Sequence, residues 1–398
     1  MRKGIKQAVA CLLAMSIVVS MAGCSNKDKK QKKEAKATTQ AQENKASGKK
    51  DGKKEKIQAS GKGNNKSDVP LVVGMSKFER KFNPYSASSK EDWKAINLTQ
   101  LSLFTFDREG ALVEHAIDGE TRRFNGEDYQ YTGASNVNIV YKEKQNETVY
   151  TIRLREDVKF GDEQALTADD VLFSLYAYLD SSYKGSVQLN EVPILGVKAY
   201  RKGDSKSIRG IERVNDYKIK IYTKGYDRKD IRRMNIPITP LHYYGSAEAF
   251  NIEKNKFGFK KGDISSLQKK KSPLGAGAYR FIKYESGIVY YEANNEYYQG
   301  CPQTAFIQLK EIKDVDAAQK VEMVQKGDLD LVDMPGSNDA ITQIQEVNSS
   351  GKLNGGTIST RLYDGDSYAY IGMNARKVCV DAKFDSTRSK NLRTALAV

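Results

Sequence analysis

Apolar residues alternate or cluster in short runs along much of the chain, and from Val69 onward these patterns predict a mixed α/β fold. The apolar run Leu71–Met75 is typical of a buried strand. Two further strands, around Val137–Tyr141 and Thr148–Arg155, are predicted to form a hairpin that turns near Asn146. The segment that carries these strands is long enough for at least two domains.

Apolar residues at helical spacing predict three helices between the strands. The run Ser89–Asp92 fits a capping box at the start of the first helix. The second helix is predicted to begin at Thr167, with Asp170 three residues later as its capping partner. Its buried stripe consists of Val171, Leu172, Leu175 and Leu179. The third helix ends at Gly327 and leads into the sequence "DLDLVDM", which is predicted to be a strand.

The N-terminal 23 residues have the layout of an export signal, with a basic start, an apolar middle and small residues at the end. The signal leads directly into Cys24, and the sequence Met21-Ala22-Gly23-Cys24 resembles the lipobox of bacterial lipoproteins. In that family the cysteine thiol is alkylated by diacylglycerol and the chain is cut just before it. Residues 1–23 are therefore predicted to be a lipoprotein signal peptide. A chance cysteine beside an ordinary cleavage site is the alternative.

Residues 24–68 are predicted to be a lipid anchor at Cys24 followed by a disordered, lysine-rich tether. Residues 25–68 contain fourteen lysines, six acidic residues and no aromatic residue. Such a segment buries too little apolar surface to offset the entropy lost on ordering. Next to a lipid anchor, its lysines would also favour an anionic membrane surface.

The position of the basic residues argues against nucleic-acid binding. The formal net charge is +15, but the signal and the tether carry most of it. Residues 69–398 are left with only a small positive charge, so we predict no nucleic-acid partner.

Motifs for catalysis and for metal binding are missing from the sequence. There is no G-x-S-x-G, no H-E-x-x-H and no Walker loop, so we predict no catalytic residues and no cofactor. Ser181–Lys184 fits S-x-x-K but lacks its companion motifs, and two histidines are too few for a histidine-rich metal site. Cys301 and Cys379 leave open one disulfide or none.

The segment "TIRLREDVKFGDEQALTADDVLFSLYAYLD", residues 151–180, resembles the signature of family 5 extracellular solute-binding proteins. This is the oligopeptide-, dipeptide- and nickel-binding group of ABC importers. Similar motifs recur in "FNP" at 82–84, "SPLGAGAYRF" at 272–281, "NNEYYQGCP" at 294–302 and "NLRTALAV" at 391–398. The chain departs from the signature at Gly161-Asp162 and at Gln164, positions that belong to a turn.

The resemblance implies a two-lobed α/β fold of the periplasmic-binding-protein-like class II, with the second jaw missing from the sequence. Residues 69–90 and 234–385 would form a discontinuous lobe I. Residues 91–233 would form the inserted family 5 domain. Residues 386–398 would begin the missing second lobe, because in the family this helix leads into a further large domain.

The resemblance also implies a function, namely capture of oligopeptides for import by an ABC permease and ATPase. The protein would sit on the extracytoplasmic face of the cell membrane, held by its lipid anchor. Ligand contacts are expected from Phe78, Glu79 and Arg80 after the first strand, and from Tyr368 and Tyr370. The alternatives are a surface sensor or adhesin on the same scaffold, or a receptor for another solute such as nickel or an oligosaccharide. An exported hydrolase is disfavoured by the missing motifs.

Overall fold

The structure is a computed structural model, and it describes residues 68–348, 351–362 and 373–397. The predictions for the signal peptide, for Cys24 and for nearly all of the tether lie outside the described residues, as do those for Tyr368 and Tyr370.

The described chain contains strands that group into one five-stranded sheet, one four-stranded sheet and three small hairpins. In chain order they are β1 Leu71–Met75, β2 Thr105–Phe106, β3 Leu112–Val113, β4 Glu120–Phe124, β5 Glu127–Tyr131, β6 Ser135–Lys142, β7 Glu147–Leu154, β8 Ile211–Asn215, β9 Lys218–Lys224, β10 Phe250–Asn251, β11 Lys256–Phe257, β12 Tyr279–Glu285, β13 Ile288–Ala293, β14 Phe306–Glu311 and β15 Leu331–Val332.

The helices are mostly short and stand between groups of strands. They are α1 Lys90–Asn97, α2 Ala168–Leu179, α3 Val197–Lys202, α4 Arg228–Arg233, α5 Leu241–Tyr244, α6 Ala317–Gln325, α7 Asn338–Val347 and α8 Thr387–Ala397. Within the described ranges, none of the helices combines the length and the apolar character needed to cross a bilayer.

The five-stranded sheet has the order β12-β13-β14-β1-β15, and β1 runs parallel to both of its neighbours. Alternate residues of β1 point to opposite faces. Met75 packs with Ile96 of α1 and Leu309 of β14 in what we call the five-stranded-sheet core. Val72 packs on the other face with Leu329 in a smaller cluster that α6 covers. The predicted strand at 71–75 is thus confirmed.

The second sheet is antiparallel, in the order β6-β7-β9-β8, and it packs against α2. The hairpin predicted through Asn146 is confirmed, with Asn146 in the left-handed region at φ 47°. Helix α2 begins after Thr167 with the predicted reciprocal cap, in which Asp170 accepts from the Thr167 N–H at 2.9 Å. We call the apolar cluster around α2 the four-stranded-sheet core.

Side-chain packing divides the chain differently from the predicted domain boundaries at two places. The inserted domain is predicted to begin at 91, whereas Ala95 and Ile96 pack in the five-stranded-sheet core. Lobe I is predicted to resume at 234, whereas the residues from Met234 to Leu267 that enter a core all join the four-stranded-sheet core. The boundaries themselves stay a prediction about the family's domains.

The carboxylate of Asp107 links the small β2–β3 hairpin to Arg122 of β4. Its carboxylate accepts hydrogen bonds from the Ala111 N–H at 2.8 Å and from the Arg122 guanidinium at 2.6 Å. Burial of Asp107 opposes the charged form, but these donors and the charge of Arg122 outweigh it. The pKa of Asp107 therefore lies below its usual value of 3.8.

We predict that Asp107→Asn lowers the free energy of unfolding by about 1 kcal/mol at pH 7, since it places an amide against Arg122. Because the folded pKa is depressed, this stabilisation is complete above the unfolded pKa and is lost as the pH falls through the folded value. Urea unfolding at a series of pH values measures the difference. Asp128→Asn, at an exposed position of β5, is the control. A difference that persists unchanged at pH 2 would contradict the assignment.

Candidate functional site

Three parallel strands end at the same edge of the five-stranded sheet. Met75 of β1 pairs in register with Glu311 of β14, and Gly74 pairs with Val332 of β15. Ligands of open α/β sheets bind in the crevice outside the carboxyl ends of such strands. We call the residues that follow β1, β14 and β15 the carboxyl edge, and we take this edge as the candidate site.

The turn after β1 is held by two carboxylates from other elements. Glu311, at the end of β14, accepts a hydrogen bond from the Phe78 N–H at 3.0 Å. Asp92, in the first turn of α1, accepts from the N–H groups of Arg80 and Lys81 at 3.2 and 3.0 Å. Arg80 itself has φ 67°, a left-handed conformation that a non-glycine residue adopts at a cost, so these bonds stabilise an otherwise unfavourable turn.

The capping box predicted at Ser89–Asp92 is therefore only half correct. Ser89 caps α1 as expected, with its hydroxyl accepting from the Asp92 N–H at 3.0 Å. The Asp92 carboxylate does not complete a reciprocal cap, because it is engaged by the turn after β1. Asp92 is fully buried. From the sequence, Asp92 was predicted only to take part in the cap of α1. Its hydrogen bonds to the turn after β1 are visible only in the folded structure.

Of the residues predicted to contact ligand, Phe78 faces the core. Its side chain is 1% exposed. Its ring lies 5.6 Å from that of Phe82 and 6.3 Å from that of Tyr284, both in edge-to-face contact. The side chain therefore anchors the turn, and the part of Phe78 nearest to the edge is its backbone. Its predicted contact with ligand stays a prediction.

Glu79 and Arg80 are exposed at the carboxyl edge. The Glu79 carboxylate accepts hydrogen bonds from Lys81 and Ser88, both at 3.0 Å, and the bond from Lys81 is the main cause that lowers the pKa of Glu79. The Arg80 guanidinium lies 5.2 Å from the centroid of the Tyr284 ring. Both side chains are free to meet a ligand in addition to these contacts.

A cavity of about 750 Å³ opens at the carboxyl edge. Its lining is dominated by charged residues, with lysines outnumbering carboxylates: Lys77, Lys90, Lys94, Lys313 and Lys320 against Glu91, Asp314 and Asp333. The Asp333 carboxylate lies 3.3 Å from the Lys94 ammonium, and Lys320 donates to the Asp333 carbonyl oxygen at 3.4 Å. Sequence reasoning missed this group, because its lysines come from four separate segments.

A second cavity of about 550 Å³ adjoins the first and is lined mainly by apolar side chains. It lies between β15, helices α6 and α7, and the segment 353–362. Gly74 and Met75 line both cavities, so the end of β1 separates a charged compartment from an apolar one.

No cluster of metal-ligating side chains is present in the described residues. The three aspartates of "DLDLVDM" do not converge. Asp330 accepts from the Val72 N–H at 2.8 Å, Asp333 pairs with Lys94, and the strand they flank is only two residues long. The histidines lie apart as well, with His242 on Asp162 at 2.8 Å and His115 exposed near β3.

Comparison with known proteins identifies a family that the chain matches. Residues 137–398 match the family model described as "Bacterial extracellular solute-binding proteins, family 5 Middle". The oligopeptide-binding protein AppA of Bacillus subtilis (strain 168) is 27% identical over 238 residues, which are 59% of this chain and 37% of AppA.

Two solved structures are also similar. AppA from Bacillus subtilis in complex with a nonapeptide has a TM-score of 0.48 and 22% identity, covering 69% of this chain and 45% of that one. Lactococcal OppA, complexed with an endogenous peptide in the closed conformation, has a TM-score of 0.50 and 17% identity, covering 70% and 47%. This chain thus spans less than half the length of the relatives it matches.

We predict that Asp92→Ala lowers the free energy of unfolding by about 2–4 kcal/mol, because it leaves the N–H groups of Arg80 and Lys81 without their buried acceptor. Amide exchange at those two positions should become faster than in the parent protein. Denaturant unfolding and exchange mass spectrometry are the measurements. Glu91→Ala, at the neighbouring and more exposed position, should stay within about 0.5 kcal/mol of the parent. Equal effects of the two substitutions would show that Asp92 does not hold the turn.

Proposed function

Because the chain belongs to the bacterial extracellular solute-binding proteins of family 5, we propose that it captures oligopeptides outside the cytoplasmic membrane for an ABC importer. The predicted fold class, α/β of the periplasmic-binding-protein-like class II, is confirmed by the similarity to OppA, of which this chain covers 47%, and the missing second jaw stays a prediction. The relative and the solved structures above carry peptide binding in their names, and this supports an oligopeptide as the cargo.

The observation that carries the proposal is the cavity at the carboxyl edge. Its volume of about 750 Å³ is in the range of ligand-binding clefts, and it lies at the point where the parallel strands end. A peptide in extended form would bind there mainly through its main chain, which gives affinity for many sequences. Glu79 and Arg80 would contact it from the turn after β1, and Tyr368 and Tyr370 are proposed as further contacts.

Capture in a two-lobed receptor requires a second surface that closes over the ligand. We propose that residues 69–90 and 234–385 serve as lobe I, that 91–233 serve as the inserted domain, and that 386–398 begin the second lobe. Closure would remove water from the peptide and let both lobes share its hydrogen bonds. Permease and ATPase subunits would then receive the closed form.

We predict that the protein binds peptides from a mixed pool of four- to ten-residue sequences, and that single amino acids bind far more weakly, because they offer few main-chain hydrogen bonds. Titration calorimetry on the protein extracted from its membrane measures both. Nickel with histidine and a set of oligosaccharides serve as the competing ligands. Tight binding of either competitor without peptide binding would contradict the proposal and favour another solute.

We further propose that Cys24 is lipidated and holds the protein on the extracytoplasmic face of the membrane. The support is the sequence Met21-Ala22-Gly23-Cys24 and the lysine-rich segment behind it. The lysines would add a weak electrostatic attraction to anionic lipid.

We predict that Cys24→Ala moves the protein from the membrane fraction to the soluble fraction, because the lipid chain contributes most of the membrane affinity. Cell fractionation and mass spectrometry of the mature N-terminus are the measurements. Cys11→Ala, within the predicted signal, is the control and should leave the protein on the membrane. An unmodified mature N-terminus at another residue would contradict the anchor.

A further inference from the structure

Positive charge is concentrated where two neighbouring strands of the carboxyl edge end. Lys77 lies two residues beyond the end of β1, and Lys313 lies two residues beyond the end of β14. The two strands are parallel neighbours, with Met75 opposite Glu311, so each lysine lies the same number of residues beyond one of two paired strand ends. Both line the cavity of about 750 Å³.

Two carboxylates at this edge already have partners in the protein. Asp333, after β15, is paired with Lys94 at 3.3 Å. Glu311, two residues before Lys313, accepts a hydrogen bond from the Phe78 N–H, and its carboxylate lies 3.4 Å from the Tyr284 hydroxyl oxygen. Among the residues that the structure describes, neither Lys77 nor Lys313 forms an ion pair. Glu91 and Asp314 line the cavity as well, so its lysines exceed its carboxylates by five to three.

Lysine ammonium groups that share a concave surface repel each other and raise the local potential, because the low-dielectric walls focus the field. A bound carboxylate would relieve this repulsion while accepting charge-assisted hydrogen bonds from one or both lysines. Arg80 extends the same positive surface, since it lines the neighbouring pocket together with Lys313. A neutral peptide would gain none of these charge-assisted hydrogen bonds, and the lysines would repel a basic peptide.

We infer that Lys77 and Lys313 form a subsite for a peptide carboxylate, so that the protein selects peptides with an acidic side chain or a free C-terminus at this position. The inference rests on the proposed capture of oligopeptides and specifies which of them are preferred. Lys77 and Lys313 are specificity-determining residues in this proposal, and the turn after β1 positions the first of them.

Alanine-based pentapeptide pools, in which one position at a time is Glu, Gln or Lys, provide the test. Each pool is used with a free and with an amidated C-terminus, and calorimetry is performed on the membrane-extracted protein. We expect Glu peptides or free-acid peptides to bind about tenfold tighter than their Gln or amidated counterparts in 50 mM salt. In 500 mM salt the preference should shrink, because exposed charges are screened. A loss on Glu→Gln assigns an acidic side chain, and a loss on amidation assigns the C-terminus.

Substitutions of the two lysines then test whether they cause the preference for a carboxylate. Lys77→Gln and Lys313→Gln should each reduce it at least threefold, while binding of Gln peptides stays unchanged. Lys198→Gln, at an exposed position of α3, should reduce nothing. Equal binding of charged and neutral peptides would overturn the subsite and leave peptide capture intact. The same conclusion would follow if Lys198→Gln reduced the preference as much as Lys77→Gln and Lys313→Gln do. Failure of every pool to bind would overturn both proposals.

Discussion

The parallel pairing of β1 with β14 is the interaction on which the sheet and the candidate site both depend. It joins parts of the chain that are far apart, as the bond between Phe78 and Glu311 spans 233 positions. Loop closure over such a distance costs entropy that grows only slowly with length, but the pairing cannot form until the intervening chain has folded back. Once formed, it brings Met75 and Glu311 together, and the carboxyl edge exists only because of that contact.

Two of the motifs that resemble the family's connect the two cores. Asn83 of "FNP" is buried, and its amide donates to the carbonyl oxygens of Leu267 and Lys270 at 2.8 Å. In "SPLGAGAYRF", the Gly277 N–H donates to the Thr99 carbonyl oxygen at 2.9 Å. A Cβ at Gly275 would collide with that same carbonyl, so glycine is required by the close approach of the two backbones. These motifs therefore join the two cores.

The sequence predicted local elements well, because their signals are local. The strand 71–75, the hairpin through Asn146 and the reciprocal cap of α2 each depend on residues within a few positions of one another. The predicted strand in "DLDLVDM" was too long, since only Leu331–Val332 pair with β1 and Asp330 turns its side chain to the Val72 N–H. The segment from Met234 to Leu267, predicted to belong to lobe I, packs in the four-stranded-sheet core, and such long-range packing has no local signal in the sequence.

The candidate site was harder to predict than the fold, because burial and charge pairing are properties of the folded chain. Phe78, Glu79 and Arg80 are adjacent in sequence, yet the first is buried in the core and the other two are exposed.

Lysine shows the same dependence on context. In the tether, lysines outnumber acidic residues without any sheet to order them, so they supply a diffuse charge. At the carboxyl edge, strand register brings the ends of β1 and β14 together, and Lys77 and Lys313, which follow these strands, line one cavity. The overall charge of the chain therefore says little about its ligand, whereas two lysines positioned by β1 and β14 carry specific chemical information.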